Sequence, residues 1–142
     1  MRKKTRIKAL LTEGFKIEAI ARNHKIIMDL PLPFGNDAGP TPVDLLLASL
    51  AGCYGIVSRY HAPKHSIEIK SMNIIIEAEY DTAGFEGEDV KPGLQSINII
   101  VEINSPNSEE EIKRFMEFVK KHCPIEDTLK SRTPINTVIM KK

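Results

Sequence analysis

The chain has 142 residues, of which 42% are hydrophobic and 27% charged, a composition that predicts one soluble globular domain spanning 1–142. Its 20 Lys and Arg nearly balance 19 Asp and Glu, and a net charge of +1 gives no reason to expect nucleic acid as a partner. No apolar run is long enough to cross a bilayer and no secretory signal is recognisable, so we expect a cytoplasmic protein with no membrane partner.

Three short extended segments are predicted first. Thr5–Thr12 alternates imperfectly, and the apolar side chains of 15–21 recur with the period of two that is typical of half-buried strands. Asn23 tolerates a left-handed backbone and predicts a turn, after which Lys25–Leu30 resumes as a strand. These segments predict a three-stranded meander, followed by a loop rich in Pro and Gly over Pro31–Pro42.

A long apolar helix is predicted after this loop. Thr41 can cap it, Pro42 suits its first position, and it should run to about Tyr60, before the stop at His61-Ala62-Pro63. Because the helix is apolar almost all round, we expect it to be buried as a central helix covered by sheet.

The second half of the chain predicts two long strands and an amphipathic helix. The strands fall at 66–80 and 95–103, where β-branched residues are frequent. Ser108 and the three Glu that follow predict a capping box, and the helix should end at His122. Pro134–Met140 is predicted as a last strand. The expected fold class is therefore α+β, with antiparallel sheets around a buried central helix.

Cys53 and Cys123 are the residues on which reactive chemistry would depend. Cys53 lies within the buried helix, and Cys123 lies where the amphipathic helix ends, directly before Pro124. Each alone is explained as an apolar filler of the core. Together they offer a rigid attacking thiol and a mobile resolving thiol, which is the arrangement that two-cysteine peroxide chemistry uses. In a chain without an export signal, we expect them to be free or redox-active rather than structural.

Attack on a peroxide requires the Cys53 thiolate, so a cation is expected beside it. Lowering a thiol pKa by ~3 units from about 8.5 requires roughly 4 kcal/mol. A helix dipole supplies about 0.3–1 kcal/mol and fades within one turn, whereas a contacting cation supplies about 4 kcal/mol at an effective dielectric near 20. Arg59 lies about 120° away around the helix, so Arg22 is the predicted activating residue. Cys123, at the carbonyl end of its helix, is predicted to resolve rather than attack.

Helical spacing also predicts the neighbours of Cys53. Five residues fall on its face of the helix: Leu46, Ser49, Leu50, Val57 and Tyr60. They would line an apolar pocket suited to an organic peroxide, and the alternative is that they simply face the core. His61 and His65 are not predicted to bind a metal, because Pro63 breaks the helix between them. No cofactor-binding motif is present, and we expect the protein to use no cofactor.

Two cysteine motifs resemble those of the OsmC/Ohr superfamily. The stretch 39–53 is similar to the family's Pro-initiated apolar helix ending in Ala-Gly-Cys, and His122-Cys123-Pro124-Ile125 resembles its second cysteine. Arg22-Asn23-His24, with Asp29 and Pro31, also fits family members. The resemblance extends from about Thr5 to the end of the chain. It implies an OsmC-like fold as an intertwined homodimer, with two central helices wrapped by sheets of both subunits and active sites at the interface.

The resemblance further implies reduction of organic hydroperoxides through a Cys53 sulfenic acid, resolved as a Cys53–Cys123 disulfide that a small dithiol or thioredoxin-like donor resets. Better-characterised members carry Glu directly after the helix-starting proline, where it pairs with the activating Arg. Here that position is Val43, and Asp44 lies about 180° from Cys53, so Asp44 is predicted to complement the helix N-terminus. Two alternatives stay open: a binding protein that holds a small apolar ligand in the interfacial pocket, and a purely structural dimer.

Overall fold

The computed structural model describes residues 1–142 and has a mixed α+β architecture with antiparallel sheets, which confirms the predicted fold class. In chain order the strands and helices are β1 Ile7–Leu11, β2 Ile17–Ala21, β3 His24–Met28, α1 Pro42–His61, β4 Ser71–Glu79, α2 Thr82–Phe85, β5 Ser96–Asn104, α3 Glu109–His122 and α4 Pro124–Lys130. The chain divides into two compact units, Met1–Leu47 and Ala48–Lys142, and a single domain over 1–142 stays a prediction. None of the helices combines the length and the apolar character that crossing a bilayer would require.

The first unit contains the predicted meander. The strands β1, β2 and β3 form an antiparallel sheet in that order, with Ala19 of β2 opposite Ala9 on one side and Ile26 on the other. Only two residues join β2 to β3, and Arg22, rather than the expected Asn23, has the left-handed φ of 58°. Two-residue hairpins require a positive φ at their first turn position, and this geometry overrides the residue preference.

The loop between β3 and α1 is organised around one buried carboxylate. Asp29 is 3% exposed, and its Oδ2 accepts hydrogen bonds from the backbone N–H groups of Asn36 (3.2 Å) and Ala38 (3.1 Å). Its Oδ1 accepts from the N–H of Leu30 at 2.7 Å. The hydrogen bond from Ala38, with those from Leu30 and Asn36, lowers the pKa of Asp29. Burial acts in the opposite direction, but the pKa stays below its usual value. The carboxylate is therefore held ionised as the acceptor that closes this loop.

Replacing Asp29 with Asn is expected to loosen the loop at neutral pH, because an amide offers one acceptor oxygen where the carboxylate offers two. A depressed folded-state pKa stabilises the fold above the unfolded pKa of about 3.9, and the contribution is lost as pH falls through the folded value. Amide hydrogen exchange should therefore show reduced protection at Asn36 and Ala38 at pH 7, and a difference from the parent that shrinks below about pH 4. Asp37→Asn, at an exposed position of the same loop, is the matched control and should leave both amides unchanged.

Helix α1 begins where the sequence predicts, at Pro42. The Thr41 Oγ1 accepts from the N–H of Asp44 at 3.2 Å, and the Asp44 Oδ2 accepts from the N–H of Thr41 at 2.9 Å. This reciprocal pair is a capping box with Asp in the third helical position. The prediction that Asp44 complements the helix N-terminus is confirmed.

The second unit packs its part of α1 against a two-stranded sheet. Strands β4 and β5 pair antiparallel, and alternate residues of both carry their apolar side chains inward. On α1, the residues buried at helical spacing are Leu50, Tyr54 and Ser58, whereas Ile56 is 73% and Tyr60 67% exposed. Within the single chain one small sheet covers one face of the helix, and its complete burial as a central helix stays a prediction.

The buried side chains of this unit form two clusters. One consists of Ala62, Ile67, Ile69, Phe115 and Val119. The other consists of Leu50, Tyr54 and Cys123, packed against the inward side chains of β4 and β5. The second cluster therefore places a cysteine in the core, directly beside α1.

Two features near the end of the chain differ from prediction. Pro124 follows the end of α3 as predicted, but it also begins α4. Proline suits the first helical position, because an N–H at that position has no hydrogen-bond acceptor within the helix. The predicted strand Pro134–Met140 is wrong: the segment forms no strand, and its large apolar side chains are 86–89% exposed, among them Ile135 and Val138. No strand within the chain pairs with this segment, so its β-forming composition has no partner to act on.

Candidate active site

The structure brings the two predicted cysteines together. Cys53 is half-buried on α1, and Cys123 is fully buried between α3 and α4. Both are free, and the Cys123 thiol donates to the Cys53 Sγ across 2.8 Å. An S–S bond is about 2.05 Å long, so a movement of less than about 1 Å would join them. The pair is therefore positioned for reversible disulfide formation.

The surroundings of Cys123 keep its thiol protonated. Burial, together with the hydrogen bond to Cys53, raises the pKa of Cys123 to about 11, against the lowering effect of the Glu126 N–H, which donates to its sulfur at 3.4 Å. Only a thiolate attacks a peroxide, so this residue is unsuited to be the attacking one. It is also less mobile than expected, because α4 follows at once and Cys123 caps its first turn.

The predicted pocket residues occupy different environments. Leu50 lies in the buried cluster with Cys123, and Val57 packs against the other cluster. These two residues face the core, which is the alternative to lining a pocket. Leu46, Ser49 and Tyr60 have exposed side chains. An apolar pocket on the face of Cys53 stays a prediction.

The two arginines that are candidates for activating Cys53 also lie in different surroundings. Arg22 is exposed at the β2–β3 turn of the first unit, and its role beside Cys53 stays a prediction. Arg59 donates from Nη1 to the carbonyl oxygen of Ile69 at 2.9 Å, so its guanidinium braces the segment that enters β4. No group of three or more His, Cys, Asp or Glu side chains is arranged to hold a metal ion.

Sequence reasoning missed a buried polar network beside the thiols. Tyr54, next to Cys53, donates its hydroxyl hydrogen to Oε1 of Glu126, and the Nζ of Lys130 lies 2.9 Å from Oε2. Tyr54 is 4% and Glu126 7% exposed. The only sequence signal is a Glu at the third position of α4, four residues before a Lys, which is also the pattern of an ordinary solvated helix.

Burial would raise the pKa of the Glu126 carboxyl, but the hydrogen bonds from Tyr54 and Lys130 outweigh it and lower the pKa below its usual value. Burial raises the pKa of Tyr54 well above that of a free tyrosine, and the bond to Glu126 adds to the effect. At neutral pH the pair is therefore a charged acceptor and a neutral donor, which is the stronger kind of hydrogen bond.

Comparison with known proteins places these motifs in a family context. A family model described as OsmC-like protein matches residues 35–138. Hydroperoxide reductases of Mycoplasma genitalium and Mycoplasma pneumoniae are each 36% identical to the chain over 129 residues, covering 91% of it and 89% of each relative. A crystal structure of an OsmC-like protein from Mycoplasma pneumoniae matches with a TM-score of 0.82 at 36% identity, covering 92% of this chain and 89% of that one.

Proposed function

The chain belongs to the OsmC-like protein family, and from this premise we propose that it reduces organic hydroperoxides with Cys53 as the attacking thiol and Cys123 as the resolving thiol. The observation that carries the proposal is the 2.8 Å separation of two free cysteine sulfurs on separate helical elements. Relatives named hydroperoxide reductase, similar over nearly the whole chain, supply the class of substrate.

The first step oxidises Cys53. Its thiolate attacks the distal oxygen of the hydroperoxide, an S–O bond forms, and the O–O bond breaks. The sulfur gives up two electrons, and the alkoxide takes a proton and leaves as the alcohol. The product on the protein is a Cys53 sulfenic acid. Arg22 is the cation proposed to hold the thiolate, and Leu46, Ser49 and Tyr60 are the exposed α1 residues proposed to meet the substrate.

The second step forms the disulfide. The Cys123 sulfur attacks the sulfur of the sulfenic acid, the S–S bond forms, and the S–O bond breaks. The hydroxyl leaves with the Cys123 proton as water. A small dithiol or thioredoxin-like donor then reduces the disulfide by exchange and becomes a disulfide itself. The cycle requires no metal or organic cofactor.

A homodimer is part of the same proposal. Apolar side chains are exposed on α1, including Ile56, on β1, including Leu10 and Leu11, and along the segment from Ile135 to Met140. Exposure on this scale is costly for a solitary chain, and an unpaired edge strand such as β1 recruits further strands. A second copy of the chain is the occupant proposed to cover these surfaces, as the family resemblance implies.

The proposal is tested by mixing fully reduced protein with excess cumene hydroperoxide and quenching at increasing times. The chain contains no Trp, so tryptophan fluorescence cannot report the reaction. Instead, the remaining thiols are alkylated and the products are identified by mass spectrometry. One sulfenic acid should form per chain, at a rate at least about 100-fold above that of free cysteine, followed by loss of both thiols as a disulfide.

Thiol loss no faster than for free cysteine would overturn the enzymatic proposal. That outcome, together with saturable binding of an apolar ligand, would instead support a binding protein of the same fold. The control is the same protein with its disulfide already formed, which should show no reaction with peroxide.

A further inference from the structure

The network formed by Tyr54, Glu126 and Lys130 has no part in the cycle described above. It nevertheless connects the two elements that carry the thiols. On α1, Tyr54 directly follows Cys53, and on α4, Glu126 stands three residues after Cys123. We propose that the buried Tyr54–Glu126 hydrogen bond holds Cys123 against Cys53 and thereby sets how fast the Cys53 sulfenic acid is captured as a disulfide.

Glu126 contacts the resolving residue through its backbone as well. Its N–H donates to the Cys123 sulfur at 3.4 Å, while its side chain accepts from Tyr54. One residue therefore fixes both the sulfur of Cys123 and the distance between α4 and α1. The thiols and the Tyr54–Glu126 pair form two parallel links between the same elements, one of which becomes covalent on oxidation.

Keeping a carboxylate at 7% exposure is unfavourable unless its oxygens are bonded, and an apolar side chain could fill the same space. Both oxygens of Glu126 are occupied, Oε1 by Tyr54 and Oε2 by Lys130. Directional bonds constrain position more sharply than apolar packing does. A polar link is therefore better suited than an apolar contact to keeping two sulfurs within an ångström of bonding distance.

Position matters because capture competes with a second oxidation. Either Cys123 attacks the sulfenic acid, or another hydroperoxide converts the sulfenic acid to a sulfinic acid and is itself reduced to an alcohol. The first route is intramolecular, and its rate depends steeply on geometry. Glu126 and Tyr54 are thus proposed as positioning residues that protect Cys53 from irreversible oxidation. This inference depends on the proposed function.

The test uses the full-length protein and measures the two oxidation steps separately by rapid quenching and mass analysis. In Tyr54→Phe the first step, formation of the sulfenic acid, should stay within about twofold of the parent, while disulfide formation slows by about 10- to 100-fold. The fraction of Cys53 recovered as sulfinic acid should rise accordingly, and it should rise further with peroxide concentration.

Two further variants separate positioning from general loosening. Glu126→Gln keeps an oxygen that can accept from Tyr54 and should give an intermediate rate, and it carries the same test should Tyr54→Phe fail to fold. Thr128→Val removes the bond from Thr128 Oγ1 to the Pro124 carbonyl oxygen (2.7 Å) on the same helix, and both steps should match the parent.

The outcomes are distinct for the two proposals. A normal first step with parental disulfide formation in both Tyr54→Phe and Glu126→Gln would overturn the positioning role and leave the peroxidase proposal intact. Equal slowing in Thr128→Val would also overturn it, because the effect would then belong to α4 in general. Absence of a fast first step in the parent protein would overturn the proposed function itself.

Discussion

Cys53→Ser is expected to lower turnover of cumene hydroperoxide by at least about 10³-fold, because a serine hydroxyl is a far weaker nucleophile toward the O–O bond than a thiolate. Cys123 cannot replace it. That sulfur is fully buried, and with a pKa of about 11 only about one molecule in 10⁴ carries the thiolate at pH 7. Steady-state consumption of peroxide in the presence of a dithiol measures the loss.

Cys123→Ser is the matched variant for this experiment. The substitution replaces the other sulfur of the pair with oxygen. Without a donor, each chain of this variant should still reduce one hydroperoxide molecule through Cys53. The Cys53 sulfenic acid then has no resolving thiol, and excess peroxide should convert it to a sulfinic acid. Turnover by Cys53→Ser near the parental rate would be incompatible with the assigned roles.

Phe115→Ala is expected to lower the free energy of unfolding by about 3–5 kcal/mol, the cost of removing a fully buried aromatic side chain and leaving a cavity. Phe115 is 2% exposed on α3 and packs among Ala62, Ile67, Ile69 and Val119. Because folded proteins are stable by only about 5–15 kcal/mol, this is a large share of the total. Urea unfolding monitored by circular dichroism gives the change.

Phe85→Ala supplies the control for Phe115→Ala. Phe85 is 77% exposed at the end of α2, so the identical substitution there should change the free energy of unfolding by no more than about 0.5 kcal/mol. The slope of free energy against urea concentration should be the same for both variants. A comparable loss from both would mean that the cluster around Phe115 is not a principal part of the core.

Local patterns predicted the elements that depend on local physics. The capping residues Thr41 and Ser108 marked the starts of α1 and α3, and the alternation in 15–21 marked β2. Predictions that needed a neighbour were less successful. Pro134–Met140 has the composition of a strand, but a strand needs another to pair with, and the chain supplies none. Composition likewise could not say how many faces of α1 a single chain covers.

The candidate site was predictable only in part. Two cysteines in suggestive positions indicated a pair, and the structure places their sulfurs 2.8 Å apart. The Tyr54–Glu126 bond was not predictable, because it joins residues 72 positions apart and neither belongs to a recognisable motif. The start of α4 at Pro124 was missed for a related reason, since the same residue both ends one helix and suits the beginning of the next.

The complete burial of Cys123 also determines the chemistry of reduction in the proposed cycle. A donor thiolate approaching the disulfide can contact the half-buried sulfur of Cys53 but not the enclosed one. Attack therefore joins the donor to Cys53 and expels Cys123 as the leaving group, and the donor's second thiol then frees Cys53. Because the Cys123 sulfur is inaccessible, the donor forms its mixed disulfide only with Cys53 on α1 during reduction.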